Sequence, residues 1–220
     1  MKWIYWDLET TGLGVRSRII SIGWSADCCE GELLVLPDVP IDPTATAIHG
    51  HTMSTLQAAG AQPIDTQLRK FVSVLKGVHV AVCLCAHNGK AFDSHVLRAE
   101  LERANLSLPP NVVGFGDSMQ WARWTLGVRP AGIDALNLRL FNRGERTVHS
   151  ALGDAQLLRQ IVNRLCEQHT NATPIEVESV DLWRQRTHKT CVSIITAHLD
   201  VIVAKLIDQD EYTSPSRSNM

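Results

Sequence analysis

The sequence predicts a mixed α/β domain, a five-stranded sheet flanked by helices. Three observations predict it. Short apolar, partly β-branched runs crowd the start of the chain. The run Val78–Ala86 (VHVAVCLCA) is continuous enough for a strand buried on both faces. Segments of helical period follow and can cover the sheet.

Trp3–Leu8 and Ile19–Ala26 read as neighbouring strands around the turn-rich Thr10-Thr11-Gly12-Leu13-Gly14, with Leu33–Leu36 as a third. Pro37–Pro43 is a loop. Thr44–Gly60 and Ile64–Leu75 have helical spacing, the second with Leu68, Phe71, Val72 and Leu75 on one side. After the Val78–Ala86 strand, a helix over Phe92–Leu106 turns Val96, Leu97, Leu101 and Ala104 inward. Val112–Phe115 is the last strand, and Met119–Leu126, Ile133–Phe141 and Ser150–Cys166 are helices. The composition changes near residue 167, so 1–167 reads as the domain and 168–220 as a helical extension with a frayed tail, Tyr212–Met220.

Hydrophobic content of 45% and charged content of 20% suit a folded chain of 220 residues. A formal charge of −2 excludes a protein that coats nucleic acid by bulk electrostatics, though not an enzyme that holds phosphates locally. The opening MKWIYWDL is too short for a signal peptide, and no apolar run reaches the ~20 residues of a bilayer span. The longest, Val192–Ile207, carries His198, Asp200 and Lys205 and reads as an amphipathic helix. Six cysteines form no CxxC pair, and Cys83 and Cys85 alternate onto one strand face. Reduced, packed thiols are expected, and with them an intracellular protein of cytoplasm or nucleus, off the membrane.

Four segments can carry chemistry. In Trp6-Asp7-Leu8-Glu9-Thr10-Thr11-Gly12, Asp7 and Glu9 lie two apart on a strand end, so both carboxylates leave the same face. Like charges side by side call for a cation between them, and hard oxygen ligands suit Mg²⁺ or Mn²⁺. In Ala86-His87-Asn88-Gly89-Lys90-Ala91-Phe92-Asp93, Asp93 sits where a helix N-cap and a ligand at the sheet's edge are compatible roles. In His149-Ser150-Ala151-Leu152-Gly153-Asp154, Ser150 is a plausible cap, and His149 and Asp154 can address one site from loop and helix. The histidine is a general-base candidate. Ala47-Ile48-His49-Gly50-His51-Thr52 sets an exposed apolar side chain beside glycine, able to shape a base pocket.

Asp7-x-Glu9, Asp93 and His149-x-Ala151-x-x-Asp154 together resemble the DEDDh exonucleases, from about residue 2 to residue 165. Cys85-Ala86-His87-Asn88-Gly89, Ala99-Glu100-Leu101 and His149-Ser150-Ala151 are most similar to the three-prime repair branch, without its proline-rich loop or hydrophobic tail. The resemblance implies a ribonuclease H-like fold and two metal ions per site, Mg²⁺ or Mn²⁺. Asp7, Glu9 and Asp154 would hold the ion that activates water, and Asp7 would also hold the second, with Asp93 contributing through its shell. It further implies hydrolysis from 3′ ends to nucleoside 5′-monophosphates, with His149 as base. Thr10, Thr11, Leu13, Ile48, His49, Gly50 and Asn88 are then the expected substrate contacts. The implied partners are single-stranded or frayed 3′ ends of DNA, with RNA left open, and a homodimer is allowed.

The competing reading is a catalytically silent binding or interaction module on the same fold, which need not bind Mn²⁺. A nucleotide-binding oxidoreductase is excluded, because Gly12-Leu13-Gly14 lacks the third glycine of GxGxxG. Walker GxxxxGK and HExxH patterns are absent too. Trp183-Arg184-Gln185-Arg186-Thr187-His188-Lys189 is the densest basic cluster. It reads as a solvated helix face with Trp183 packed on the core, or as Arg184, Arg186 and Lys189 contacting phosphates.

Overall fold

The computed structural model describes residues 1–13, 16–127, 132–144, 149–168 and 175–185. Three antiparallel strands open the chain, β1 (Lys2–Thr10), β2 (Ile19–Ser25) and β3 (Glu30–Leu36). Helices α1 (Pro43–His49) and α2 (Met53–Ala58), strand β4 (Gln62–Pro63) and helix α3 (Ile64–Lys76) follow. Strand β5 (Val82–Ala86) crosses through α4 (Asp93–Arg103) to β6 (Val112–Asp117). Helices α5 (Ser118–Leu126), α6 (Ile133–Phe141) and α7 (Ala151–Gln168) come next, and β7 (Val177–Ser179) and α8 (Val180–Gln185) end the described chain.

The sheet runs β4-β3-β2-β1-β5-β6-β7, with β1, β5 and β6 parallel and β2 and β7 reversed against their neighbours. The architecture is the mixed α/β one expected, but among the described residues the sheet has seven strands rather than five. The two additions are edge strands too short to show alternation: β4 has two residues and ends in proline, and β7 has three. Thr44–Gly60 is two helices rather than one. Gly50 ends α1 in the left-handed region (φ 74°), and Thr52 with Thr55 forms the capping box that starts α2.

Alternation along β1 sorts the two faces of the sheet. Ile4, Trp6 and Leu8 join a core with Leu68, Phe71 and Leu75 of α3 and Leu97 and Leu101 of α4. Tyr5 points to the other face, where it is buried with Trp121 of α5 and Leu157, Leu158, Ile161 and Leu165 of α7. Each large side chain buried this way contributes roughly 1.5–3 kcal/mol. Asp7 and Glu9 continue the Tyr5 side of the alternation, so they face α7.

Helix α4 is tied down from two directions. The fully buried Glu100 accepts from Arg18 Nε (2.6 Å) and Nη2 (3.2 Å), joining α4 to the start of β2. From the C-terminal side, Trp183 stacks on Phe115 with ring centroids 4.7 Å apart. Its Nε1 donates to the Ser94 carbonyl at 3.0 Å, and Arg98 Nη1 donates to its carbonyl at 2.9 Å. Trp183 is therefore packed on the core. Arg184 lies beside Leu108–Val113, where β6 begins, and pairs with Asp181. Arg186, Lys189, Val192–Ile207 and Tyr212–Met220 lie outside the described residues. No helix among the described residues is long and apolar enough to cross a membrane, and the cysteines among them are free.

Candidate active site

Strand β1 outruns its neighbour. Its parallel pairing with β5 stops at Tyr5 opposite Cys85, so Asp7 and Glu9 stand beyond the end of β5 at the carboxyl edge of the sheet. The third carboxylate comes from the first turn of α7, and a glycine brings it close. Gly23 of β2 lies opposite Asp7, and a Cβ added there would sit 2.1 Å from the Ala151 carbonyl carbon and 2.2 Å from the Leu152 nitrogen. Glycine thus lets the N-terminus of α7 rest directly on the sheet. As a result, ligand oxygens of Asp7, Glu9 and Asp154 lie within 4.8 Å of one another. Sequence reasoning missed Gly23, although a glycine inside the apolar IISIGWS strand signals close backbone approach.

Gly23→Ala should therefore push α7 off the strand. The expected stability loss is about 1–3 kcal/mol, as for other overpacked sites. Activity should fall by ~10²-fold, the scale of an ångström's misplacement of reacting groups. Denaturant melts and single-turnover rates on the same preparation check this; a variant that loses stability alone would break the link between Gly23 and the carboxylates.

Ser150 caps α7 as expected, its Oγ accepting from the Gly153 N–H at 3.1 Å. His149, just outside the helix, places Nδ1 3.2 Å from Asp154 Oδ2 and Nε2 3.8 Å from Asp134 Oδ2. Its backbone N–H donates to the Ile48 carbonyl at 3.1 Å, which ties it to the end of α1. Asp134, on α6, has no local cue beyond being an acidic residue in a first helical turn.

Asp93 arrives from the opposite face of the sheet. It is the first residue of α4 rather than its N-cap, since Phe92 occupies the cap position without a side-chain bond. Its carboxyl is buried and stands outside the group of three mutually close carboxylates. Burial holds it well above the usual carboxylate range and the Asp117 charge adds to this, while the backbone N–H groups of Asp93 and Leu8 oppose it. Leu8 can serve this way because β1 has passed the end of β5.

The expected substrate contacts divide into two kinds. Leu13 and Ile48 are exposed, at 43% and 49%, and present apolar surface. Thr10 and Thr11 are buried and hold the turn after β1: Thr10 Oγ1 donates to the Gly12 carbonyl at 2.7 Å, and Thr11 Oγ1 accepts from the Arg18 N–H at 3.0 Å. His49 is buried too, its Nδ1 accepting from the His51 N–H at 3.0 Å across Gly50. Burial lowers its pKa to about 4, with the stacked His51 adding to the shift and the Thr10 backbone opposing it, so the ring is neutral. Asn88 takes a left-handed backbone (φ 63°) in the loop leading to Asp93.

Comparison with known proteins bears on the family and the fold. The exonuclease family model RNase_T matches residues 4–162. The epsilon subunit of DNA polymerase III from Pasteurella multocida is 28% identical over 131 residues, 59% of this chain and 49% of that protein. The Haemophilus influenzae epsilon subunit is 28% identical over 169 residues, 75% of this chain and 63% of its own length. The chain thus spans between about half and under two thirds of these relatives. Two solved structures share the fold. One is the zinc-bound complex of E. coli ExoI with ssDNA, with TM-score 0.68, 15% identity, and coverage of 78% of this chain and 41% of that one. The other is E. coli Exonuclease I with a dT13 oligonucleotide, with TM-score 0.67, 15% identity, and coverage of 77% and 42%. The fold is the ribonuclease H-like one.

Proposed function

This chain belongs to the RNase_T exonuclease family, in its DEDDh type, and from that premise we propose that it hydrolyses nucleic acid from the 3′ end and releases nucleoside 5′-monophosphates. The observation that carries this reading is the convergence of Asp7, Glu9 and Asp154 within 4.8 Å, with His149 at 3.2 Å from Asp154. Three carboxylates so close repel one another in the absence of a cation, and an all-oxygen anionic donor set fits Mg²⁺ or Mn²⁺. We assign Asp7, Glu9 and Asp154 to one ion and Asp7 with Asp93 to a second. When bound, such a pair would activate water and neutralise the charge developing on the attacking and leaving oxygens of a phosphodiester.

The chain's own residues supply the rest. His149 takes the water's proton, its ring placed at the edge of the carboxylate group by Asp154 and by the Ile48 carbonyl. Leu13 and Ile48 pack on the terminal base, while Thr10, Thr11, His49, Gly50 and Asn88 shape the surface around them. Residues 1–167 carry the reaction, and 168–220 form an extension whose described part braces α4. Single-stranded DNA is the proposed polymer, supported by the DNA polymerase relatives and the oligonucleotide-bound structural neighbours.

A linear strand with a free 3′-hydroxyl should shorten nucleotide by nucleotide in Mg²⁺ or Mn²⁺, and not in chelator. A circular strand, and one blocked by a 3′-phosphate, should resist. Parallel DNA and RNA strands rank the two polymers. Cutting of the circle would replace this reading with an endonuclease.

A further inference from the structure

The carboxylate of Asp117 is buried at the end of β6 and does not join the group formed by Asp7, Glu9 and Asp154. Its oxygens are occupied by backbone donors. Oδ1 accepts from Asn88 N–H (3.2 Å), Met119 N–H (3.0 Å) and Gln120 N–H (3.3 Å), and Oδ2 accepts from Lys90 N–H (3.1 Å). Two of these bonds cap α5. The other two do something different, because they hold the loop that delivers Asp93. That loop needs holding: Asn88 sits in the left-handed region, and a Cβ on Gly89 would collide with the Ala86 Cβ at 2.5 Å. At its far end Gly89 is fixed by Ser94, whose N–H and Oγ both donate to the Gly89 carbonyl, at 3.0 and 2.7 Å. The chain between Asp117's grip and Ser94's grip contains Asp93.

We propose that Asp117 is a positioning residue for the metal site: it fixes the 88–90 loop so that Asp93 reaches the end of β1 from the opposite face of the sheet. It touches neither substrate nor ion. The role rests on the metal-dependent exonuclease reading above, and it divides Asp117's work between two separable tasks. Asp117→Asn keeps Oδ1 for the α5 cap and for the Asn88 N–H but turns an amide N–H₂ toward the Lys90 N–H, so one of the loop's two bonds is lost while the cap stays. Asp117→Ser retains a side chain equally good at capping and too short to reach the loop.

The test titrates Mn²⁺ into wild type and both variants, followed by electron paramagnetic resonance and by the Mn²⁺-induced rise in Tm, alongside kcat and KM on a DNA oligonucleotide. Both variants should bind Mn²⁺ ~10–100-fold more weakly, the usual loss when a partner behind a metal ligand is removed. The rate should fall at limiting Mn²⁺, recover at saturating Mn²⁺, and leave KM for the strand near wild type. Wild-type Mn²⁺ binding in the folded serine variant, which loses both loop bonds, would overturn the proposal. So would a lowered Tm in both variants with the Mn²⁺-induced rise intact, because the loop bonds would then support the fold and not the metal site. Failure of the wild type itself to bind Mn²⁺ or cleave would instead overturn the exonuclease reading, so the two failures are distinguishable.

Discussion

Asp7→Asn should abolish turnover while leaving the fold intact. Asp7 is assigned to both ions, so the substitution weakens both positions at once, and the rate loss should exceed the ~10²–10³-fold cost of removing one preorganised electrostatic group. The stability effect has the opposite sign. Ligand oxygens of Asp7, Glu9 and Asp154 lie within 4.8 Å of one another, and with no cation between them a pair of like charges at 4 Å repels by about 4 kcal/mol at an effective dielectric of 20, before screening by solvent. Neutralising one member removes two of the three repulsions. The metal-free variant should therefore melt no lower than wild type, and Mn²⁺ should raise its Tm less. Melts with and without Mn²⁺, paired with single-turnover rates, measure both effects. Half the wild-type rate in Mg²⁺ would sink the assignment of Asp7 to two ions.

That site is unevenly legible in the sequence, and the reasons are physical. Asp7 and Glu9 are visible because strand period puts i and i+2 on one face, and the same alternation that buries Ile4, Trp6 and Leu8 on one side leaves them on the other. Ser150, His149 and Asp154 are visible because capping and helical spacing are local rules. Asp93 is legible as a carboxylate at the start of α4 but is placed one position off, since Phe92 occupies the cap position without a side-chain bond. Gly23 and Asp117 act through contacts 128 and 29 residues away in sequence, with Ala151 and Asn88 respectively, and no window on the chain displays such pairs. Asp134 is equally non-local, meeting His149 only because α6 packs beside α7. Among the strands, β7 escaped notice because its middle residue is the buried Glu178, which reads as surface in an isolated Val-Glu-Ser.

His149→Ala should slow hydrolysis by ~10²–10⁴-fold, the range for losing a general base. The histidine also contacts Asp154, a proposed metal ligand, so a rate loss alone would not separate proton transfer from ligand positioning. Two comparisons separate them. His149→Gln keeps a side chain able to hydrogen-bond Asp154 but cannot accept a proton from water, so it should be nearly as slow as the alanine variant. KM for the strand should stay near wild type in both, because the apolar surface of Leu13 and Ile48 is unaltered, and Mn²⁺ affinity should stay near wild type in the glutamine variant, which keeps a partner for Asp154. The deficit should also narrow as pH rises and hydroxide replaces the need for a base, a trend that misplaced carboxylates would not produce. If instead glutamine restores most of the rate, or the alanine variant's loss is matched by weaker Mn²⁺ binding, His149 serves to orient Asp154, and the water must lose its proton to another group.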